Sequence, residues 1–146
     1  MEVLKKLVKW VVIGVVVLIA IMIILPKVTG NGKSASTLEK QAVEAYQNKD
    51  MKKATDLALK ACKKGSANAC GMMSGLYMDQ KNYKKCSSFS LKACDGGNPI
   101  GCYNLGMLYA NGFDVEQDRE KGKKLIQKSC DLGFNQACKV INEYFN

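Results

Sequence analysis

Three pairs of cysteines, each with seven residues between its members, limit the folds open to this chain. They read C-K-K-G-S-A-N-A-C from Cys62 to Cys70, C-D-G-G-N-P-I-G-C from Cys94 to Cys102 and C-D-L-G-F-N-Q-A-C from Cys130 to Cys138. The shared pattern, C-x-x-G-x-x-x-[AG]-C, takes in six of the seven cysteines and leaves Cys86 outside. On one continuous helix, residues eight apart lie ~12 Å apart along the axis. A disulfide needs its α-carbons ~4.4–6.8 Å apart. A pair can therefore bond only if the chain turns between its members, and Gly65, Gly97 and Gly133 stand where a left-handed helix end would make that turn. The spacing predicts disulfides 62–70, 94–102 and 130–138, each joining the end of one helix to the start of the next. Structural zinc is the rival reading, but its cysteines fall ~2–4 residues apart and commonly come with histidine. This chain has no histidine, so neither a metal nor a cofactor is expected.

The first cysteines of the pairs are separated by 32 and then 36 residues. That period belongs to a two-helix repeat, and the chain is expected to be an all-α, short solenoid. Ser36-Thr37-Leu38-Glu39 reads as an S-x-x-E capping box opening a helix that runs to about Asn48. Apolar stripes at helical spacing follow: Met51, Ala54, Leu57, Ala58 and Ala61; Met73, Leu76 and Tyr77; Tyr83, Cys86, Phe89 and Ala93. Leu105, Leu108 and Tyr109, then Leu125 and Ile126, then Val140, Ile141 and Tyr144 continue the series, and Pro99 suits a helix start. Cys86 aligns with Ala54 and Gly122, a small-residue position facing inward. It is expected to be a buried free thiol of blunted reactivity, the alternative being a reactive or intermolecular thiol.

Upstream of the repeats, Trp10 to Leu25 is an unbroken apolar run of 16 residues, extended to 19 from Leu7 if Lys9 snorkels. This length matches a membrane span of ~20 residues. Lys5, Lys6 and Lys9 precede the run, so the positive-inside bias places residues 1–6 in the cytoplasm. The resulting division is a cytoplasmic stretch at 1–6, a transmembrane signal anchor at 7–25, a linker at 26–36 and the solenoid at 37–146. The expected address is the inner membrane, single-pass, with the C-terminal domain in the periplasm. The alternative is a signal peptide cleaved near Val28-Thr29-Gly30 and a secreted product. Export agrees with paired cysteines, which persist in oxidising compartments. From Asn31 onward, 18 Lys plus Arg stand against 12 Asp plus Glu. Outside the cytoplasm that excess points away from nucleic acid and toward a solvated lysine face, an anionic lipid or a cell-wall polymer.

The stretch from Cys102 to Gly122, C-Y-N-L-G-M-L-Y-A-N-G-F-D-V-E-Q-D-R-E-K-G, resembles the Sel-like repeats, relatives of the tetratricopeptide repeat. Leu105, Gly106, Tyr109, Gly112, Val115, Asp118 and Lys121 fall on the motif positions. The recurring cysteine pairs make the chain similar to the Helicobacter-type cysteine-rich branch, in which each disulfide sits within a helical repeat. The unit at 70–94 departs by lacking the glycine-rich loop, and Asn142 replaces the motif glycine in the last unit. The resemblance implies an adaptor whose concave surface holds a protein, a peptide or an envelope ligand. It also implies an alternative, since members of that branch have been described as penicillin-binding proteins or slow β-lactamases.

The chemistry for that alternative is not identifiable in the chain. No serine has a lysine three residues on, and S-D-N and K-T-G are absent, so a serine β-lactamase site has no residues. The carboxylate pairs Glu39 with Glu44 and Glu116 with Glu120 read as solvated charge rather than acid/base machinery. Met72, Met73, Met78 and Met107 read as core or groove filling rather than a soft-metal site. The expected function is non-catalytic binding. Tyr77, Tyr103 and Tyr109 are the candidate aromatic contacts, with core packing the competing role for Tyr77 and Tyr109. Lys84, Lys85, Lys123 and Lys124, together with Lys52 and Lys53, are candidates for a basic ridge.

Overall fold

The computed structural model describes residues 1–28 and 33–145, and the side chains of 1–21 and 33–145. Two units result, Met1–Lys33 and Ser34–Asn146.

The first unit is one helix, α1 (Glu2–Val28), and it corrects the expected anchor. Among the described residues no helix is long and apolar enough to cross a membrane. The apolar stretch of α1 starts at Trp10. Lengthening it toward the N-terminus brings in Lys9, Lys6 and Lys5, each costly at the centre of a bilayer. The transmembrane segment at 7–25, the cytoplasmic assignment of 1–6 and the single-pass inner-membrane address are therefore not upheld. Thr29 and Gly30 of the expected cleavage site, and residues 29–32 of the 26–36 linker, lie outside the described residues.

The second unit is a run of α-helices: α2 (Ala35–Gln47), α3 (Met51–Lys63), α4 (Ala67–Asp79), α5 (Tyr83–Asp95), α6 (Pro99–Asn111), α7 (Arg119–Asp131) and α8 (Asn135–Tyr144). Its helix starts share one device. Ser34, Asp50, Ser66, Asn82, Asn98 and Asp118 each accept a hydrogen bond from the backbone N–H three residues on. Each such cap is worth ~1 kcal/mol. α8, which follows Phe134, has no side-chain cap.

The expected capping box at Ser36–Glu39 is corrected by the same device. Ser34 caps α2, accepting from the Thr37 N–H at 3.2 Å, and Glu39 turns away from its own helix. Its carboxylate accepts from Ser66 Oγ at 2.6 Å and from Asn68 Nδ2 at 2.9 Å, at the start of α4. A carboxylate stabilises a helix N-terminus wherever it comes from, and here it comes from the neighbouring hairpin.

α2 packs on α3, α4 on α5 and α6 on α7, giving three antiparallel hairpins, with α8 laid against α7. Successive hairpins join through α3–α4, α5–α6 and α7–α8. At each junction a glycine carries the chain through the left-handed region: Gly65 at φ 94°, Gly97 at 83° and Gly133 at 92°. Within the first two hairpins the tight turns put Lys49 and Lys81 at φ 60° and 55° instead. The third hairpin has the longer loop, with Gly112 at φ 71° and the Asp118 N–H returning to Tyr109 O at 2.8 Å.

The core is built from small side chains. Ala42, Ala58, Ala61 and Ala69 join Leu38, Met73, Cys62 and Cys70 in one buried cluster. A second gathers Ile126, Ala137 and Ile141 near the C-terminus. Small residues let helices approach closely but withdraw little apolar area apiece from water. Covalent closure is a compensating device, at roughly 2–3 kcal/mol for a nine-residue loop.

Candidate functional site

The cysteines lie at the hairpin junctions. Cys62 bonds Cys70 with α-carbons 4.7 Å apart, Cys94 bonds Cys102 at 4.5 Å and Cys130 bonds Cys138 at 4.7 Å. Each bridge ties the last turn of one hairpin's second helix to the first turn of the helix that follows. The α-carbons come this near only because the glycine reverses the chain between them.

Cys86 is free and buried. Ser74 Oγ and Ser90 Oγ lie 2.6 Å apart, Cys86 Sγ is 3.5 Å from Ser90 Oγ, and Asn104 Nδ2 donates to Ser74 Oγ at 2.8 Å. Burial pushes the thiol above its ordinary range, while hydrogen bonds with Ser90 and Ser74 pull it back. A neutral, enclosed, fully partnered thiol is a poor nucleophile. Among the described residues no group of three or more His, Cys, Asp or Glu side chains could hold a metal ion.

The anticipated contact residues are dispersed. Tyr77 stacks on Phe89 with centroids 5.4 Å apart, and Lys85 Nζ lies 5.1 Å from the Tyr77 ring centroid. Lys121 Nζ covers Tyr109 in the same manner at 3.8 Å. Tyr103 meets Phe134 edge-on at 5.3 Å and takes a hydrogen bond from Gln136 Nε2 at 3.4 Å. Burial raises the Tyr103 phenol above its usual titration, against that hydrogen bond. Lys123 Nζ donates to Phe145 O at 2.8 Å. Lys84 is exposed beside a shallow hollow shared with Lys81, Tyr83 and Asp114, and Lys124 is exposed on α7.

A more enclosed concavity lies elsewhere, between α2 and α4 above α3. α4 and α6 lie against each other, but α2 and α4 scarcely touch. The gap is a groove of about 430 Å³. Ala54 and Ala58 of α3 form its floor with Met73. Val43 and Tyr46 of α2 form one wall, and Met72, Gly75 and Leu76 of α4 the other, with Met51, Thr55 and Asp79 completing the lining. Such a site, apolar with a few polar groups, matches the general character of binding clefts. Its three methionines are flexible and polarizable enough to repack around an occupant. The sequence reading placed Met72 and Met73 as core or groove filling, and both line this groove. It missed Val43, Tyr46, Thr55, Gly75 and Asp79, and read Met51, Ala54, Ala58 and Leu76 only as helix stripe. The available signal was the pairing of small Ala54 and Ala58 one turn apart with small Gly75 opposite, which leaves a void once α2 and α4 diverge.

The architecture defines a class: an α-solenoid of two-helix repeats with a disulfide at every hairpin junction. The Sel1 repeat family matches residues 45–66 and 99–134. The structure is similar to Helicobacter pylori cysteine rich protein B, at 25% sequence identity and a TM-score of 0.56. The matched region covers 76% of this chain and 99% of that one. No curated protein matches the chain at a significant level. The chain thus carries Sel1 repeats, and its fold is similar to that of the cysteine-rich Helicobacter protein.

Proposed function

We propose that this protein is a non-catalytic binding module that works outside the cytoplasm, where its disulfides persist. The groove between α2 and α4 receives an apolar segment of a partner protein. The observation that carries this reading is the groove itself, about 430 Å³ lined mainly by Met, Ala, Val and Leu side chains. Exposed Tyr46 and Met51 stand at its rim, and an adaptable, partly exposed apolar surface of this kind is used to engage partners.

A photo-crosslinking side chain in place of Tyr46, in cells that produce the native protein, tests the proposal. A discrete crosslinked partner is expected, and it is lost when Gly75→Leu fills the groove. A Cβ at Gly75 meets nothing within 4 Å, so a side chain can start there and extend into the groove, and an unchanged circular dichroism spectrum checks that the fold is kept. A crosslink that survives Gly75→Leu sinks the proposal. So does turnover of a chromogenic cephalosporin by the purified protein that disappears on reduction.

A further inference from the structure

We infer that the α2–α4 groove receives a basic side chain of the partner segment, its alkyl stem lying along the methionines and its cation meeting Asp79. This rests on the groove being the binding site and names the chemistry of what enters it. Asp79 is the one charged residue in the lining, and no lysine or arginine joins it there. That is unusual on a chain with 22 Lys plus Arg against 13 Asp plus Glu. Lys60 pairs with Asp56 at 2.8 Å, and among the described residues no side chain forms an ion pair with Asp79.

The position of Asp79 is also locally unfavourable. It occupies the last turn of α4, where the helix dipole presents its negative end and a carboxylate is repelled. α3, α5 and α7 answer their C-terminal dipoles with Lys60 and Lys63, Lys92, and Lys128. α6 and α8 have no basic residue in the last turn, and neither do α2 and α4, the two helices flanking the groove. Both helices run the same way, so two uncompensated C-termini and a free carboxylate share one end of an apolar slot. In the repeat register Asp79 aligns with Gln47 and Asn111, both neutral amides. Departures from local rules of this kind collect where a site serves a ligand. An arginine or lysine satisfies every part of the arrangement. Its methylenes pack on apolar surface while its head reaches polar groups, and the Tyr46 ring beside the slot adds an attraction for the cation.

The test uses the full chain carrying 13C-methyl methionine, because Met51, Met72 and Met73 report directly from the lining. Two acetylated, amidated tripeptides are titrated, Leu-Arg-Leu and the same sequence with citrulline, which keeps the shape of arginine but not its charge. The arginine peptide is expected to shift these methyl signals and to bind about fivefold more tightly, a modest margin typical of a partly exposed charge pair. In Asp79→Asn the preference should fall below about twofold, with citrulline binding unchanged. Equal shifts and affinities for the two peptides would overturn the inference and leave the groove as a binding site. A preference that persists in Asp79→Asn would overturn it too, placing the cation elsewhere. If neither peptide moves the three methionines, the groove fails as the binding site and the inference fails with it.

Discussion

Gly106 and Gly122 face each other where α6 crosses α7, each occupying the place the other's side chain would need. A Cβ on Gly106 would stand 2.9 Å from Gly122 O, and a Cβ on Gly122 would stand 2.8 Å from Gly106 O. Neither obstacle can move aside, because both are backbone. Gly106→Ala and Gly122→Ala should each destabilise the protein by about 2–3 kcal/mol, the cost of overpacking exceeding the ~1 kcal/mol that alanine gains in a helix. Gly75→Ala, with open space around its Cβ, should be neutral or stabilising by up to ~1 kcal/mol. Urea unfolding followed by circular dichroism measures all three, and equal effects at the three sites would contradict the packing.

The second hairpin meets the same crossing differently, since Ser74 and Cys86 stand where Gly106 and Gly122 stand in the third. Cys86 should therefore be silent to a thiol reagent in the folded protein. One thiol should appear on unfolding without reductant and seven after reduction, if the remaining six are paired. Burial raises the folded thiol above its ordinary value of 9.0, so the unfolded chain releases its proton first. Stability that is complete below about pH 9 is then lost as the pH climbs toward the folded value. Tyr103, also raised by burial, adds a loss of the same sign at higher pH. Cys86→Ala should lose stability less steeply than the parent above about pH 9, by at most ~1.4 kcal/mol per pH unit. Parallel curves for the two proteins would dismiss the thiol as the source.

Breaking one staple should weaken the array without changing its architecture. Replacing Cys94 and Cys102 together by alanine removes a bridge at the centre of the solenoid. The expected cost is roughly 2–3 kcal/mol from the freed loop, plus a smaller loss where two small buried side chains shrink. Because each repeat leans only on its neighbours, hydrogen exchange should accelerate first in α5 and α6. A uniform acceleration across the unit would instead mark it as one cooperative block.

How much of this was legible beforehand follows from how local each cause is. The glycine reversals at Gly65, Gly97 and Gly133 depend on residues within one cysteine pair, and the two-helix period is carried by the chain itself. Glu39 was misread because S-x-x-E is a local pattern, while its partners Ser66 and Asn68 lie 27 and 29 residues on. Lys49 and Lys81 turn tight corners at positive φ where no glycine announced a turn. The groove is a property of two helices that fail to meet, and its one trace in the sequence is the small Ala54, Ala58 and Gly75 that line it. The anchor was inferred from apolar length that continued past Ile21, beyond the side chains described.

Glu39 also offers the clearest test of how the first hairpin is held. Its two hydrogen bonds reach from α2 to the start of α4, across the side of the solenoid where α2 and α4 otherwise scarcely meet. The chain of contacts continues, with Asn98 Nδ2 donating to Asn68 Oδ1 at 3.0 Å and Asn98 Oδ1 accepting from the Gly101 N–H at 3.1 Å. Removing the carboxylate leaves Ser66 Oγ and Asn68 Nδ2 without their acceptor and takes a negative charge from a helix N-terminus. Glu39→Ala should cost about 1–2 kcal/mol, and Glu39→Gln less, because the amide oxygen can still accept one of the two bonds. The loss should be local. Amide exchange in α2 should quicken by about tenfold, as a 1.4 kcal/mol change implies, while α6 and α7 keep their protection. If α2 exchanges at the parental rate in Glu39→Ala, packing on α3 alone holds the first hairpin, and the bridge to Ser66 and Asn68 does not contribute to its stability.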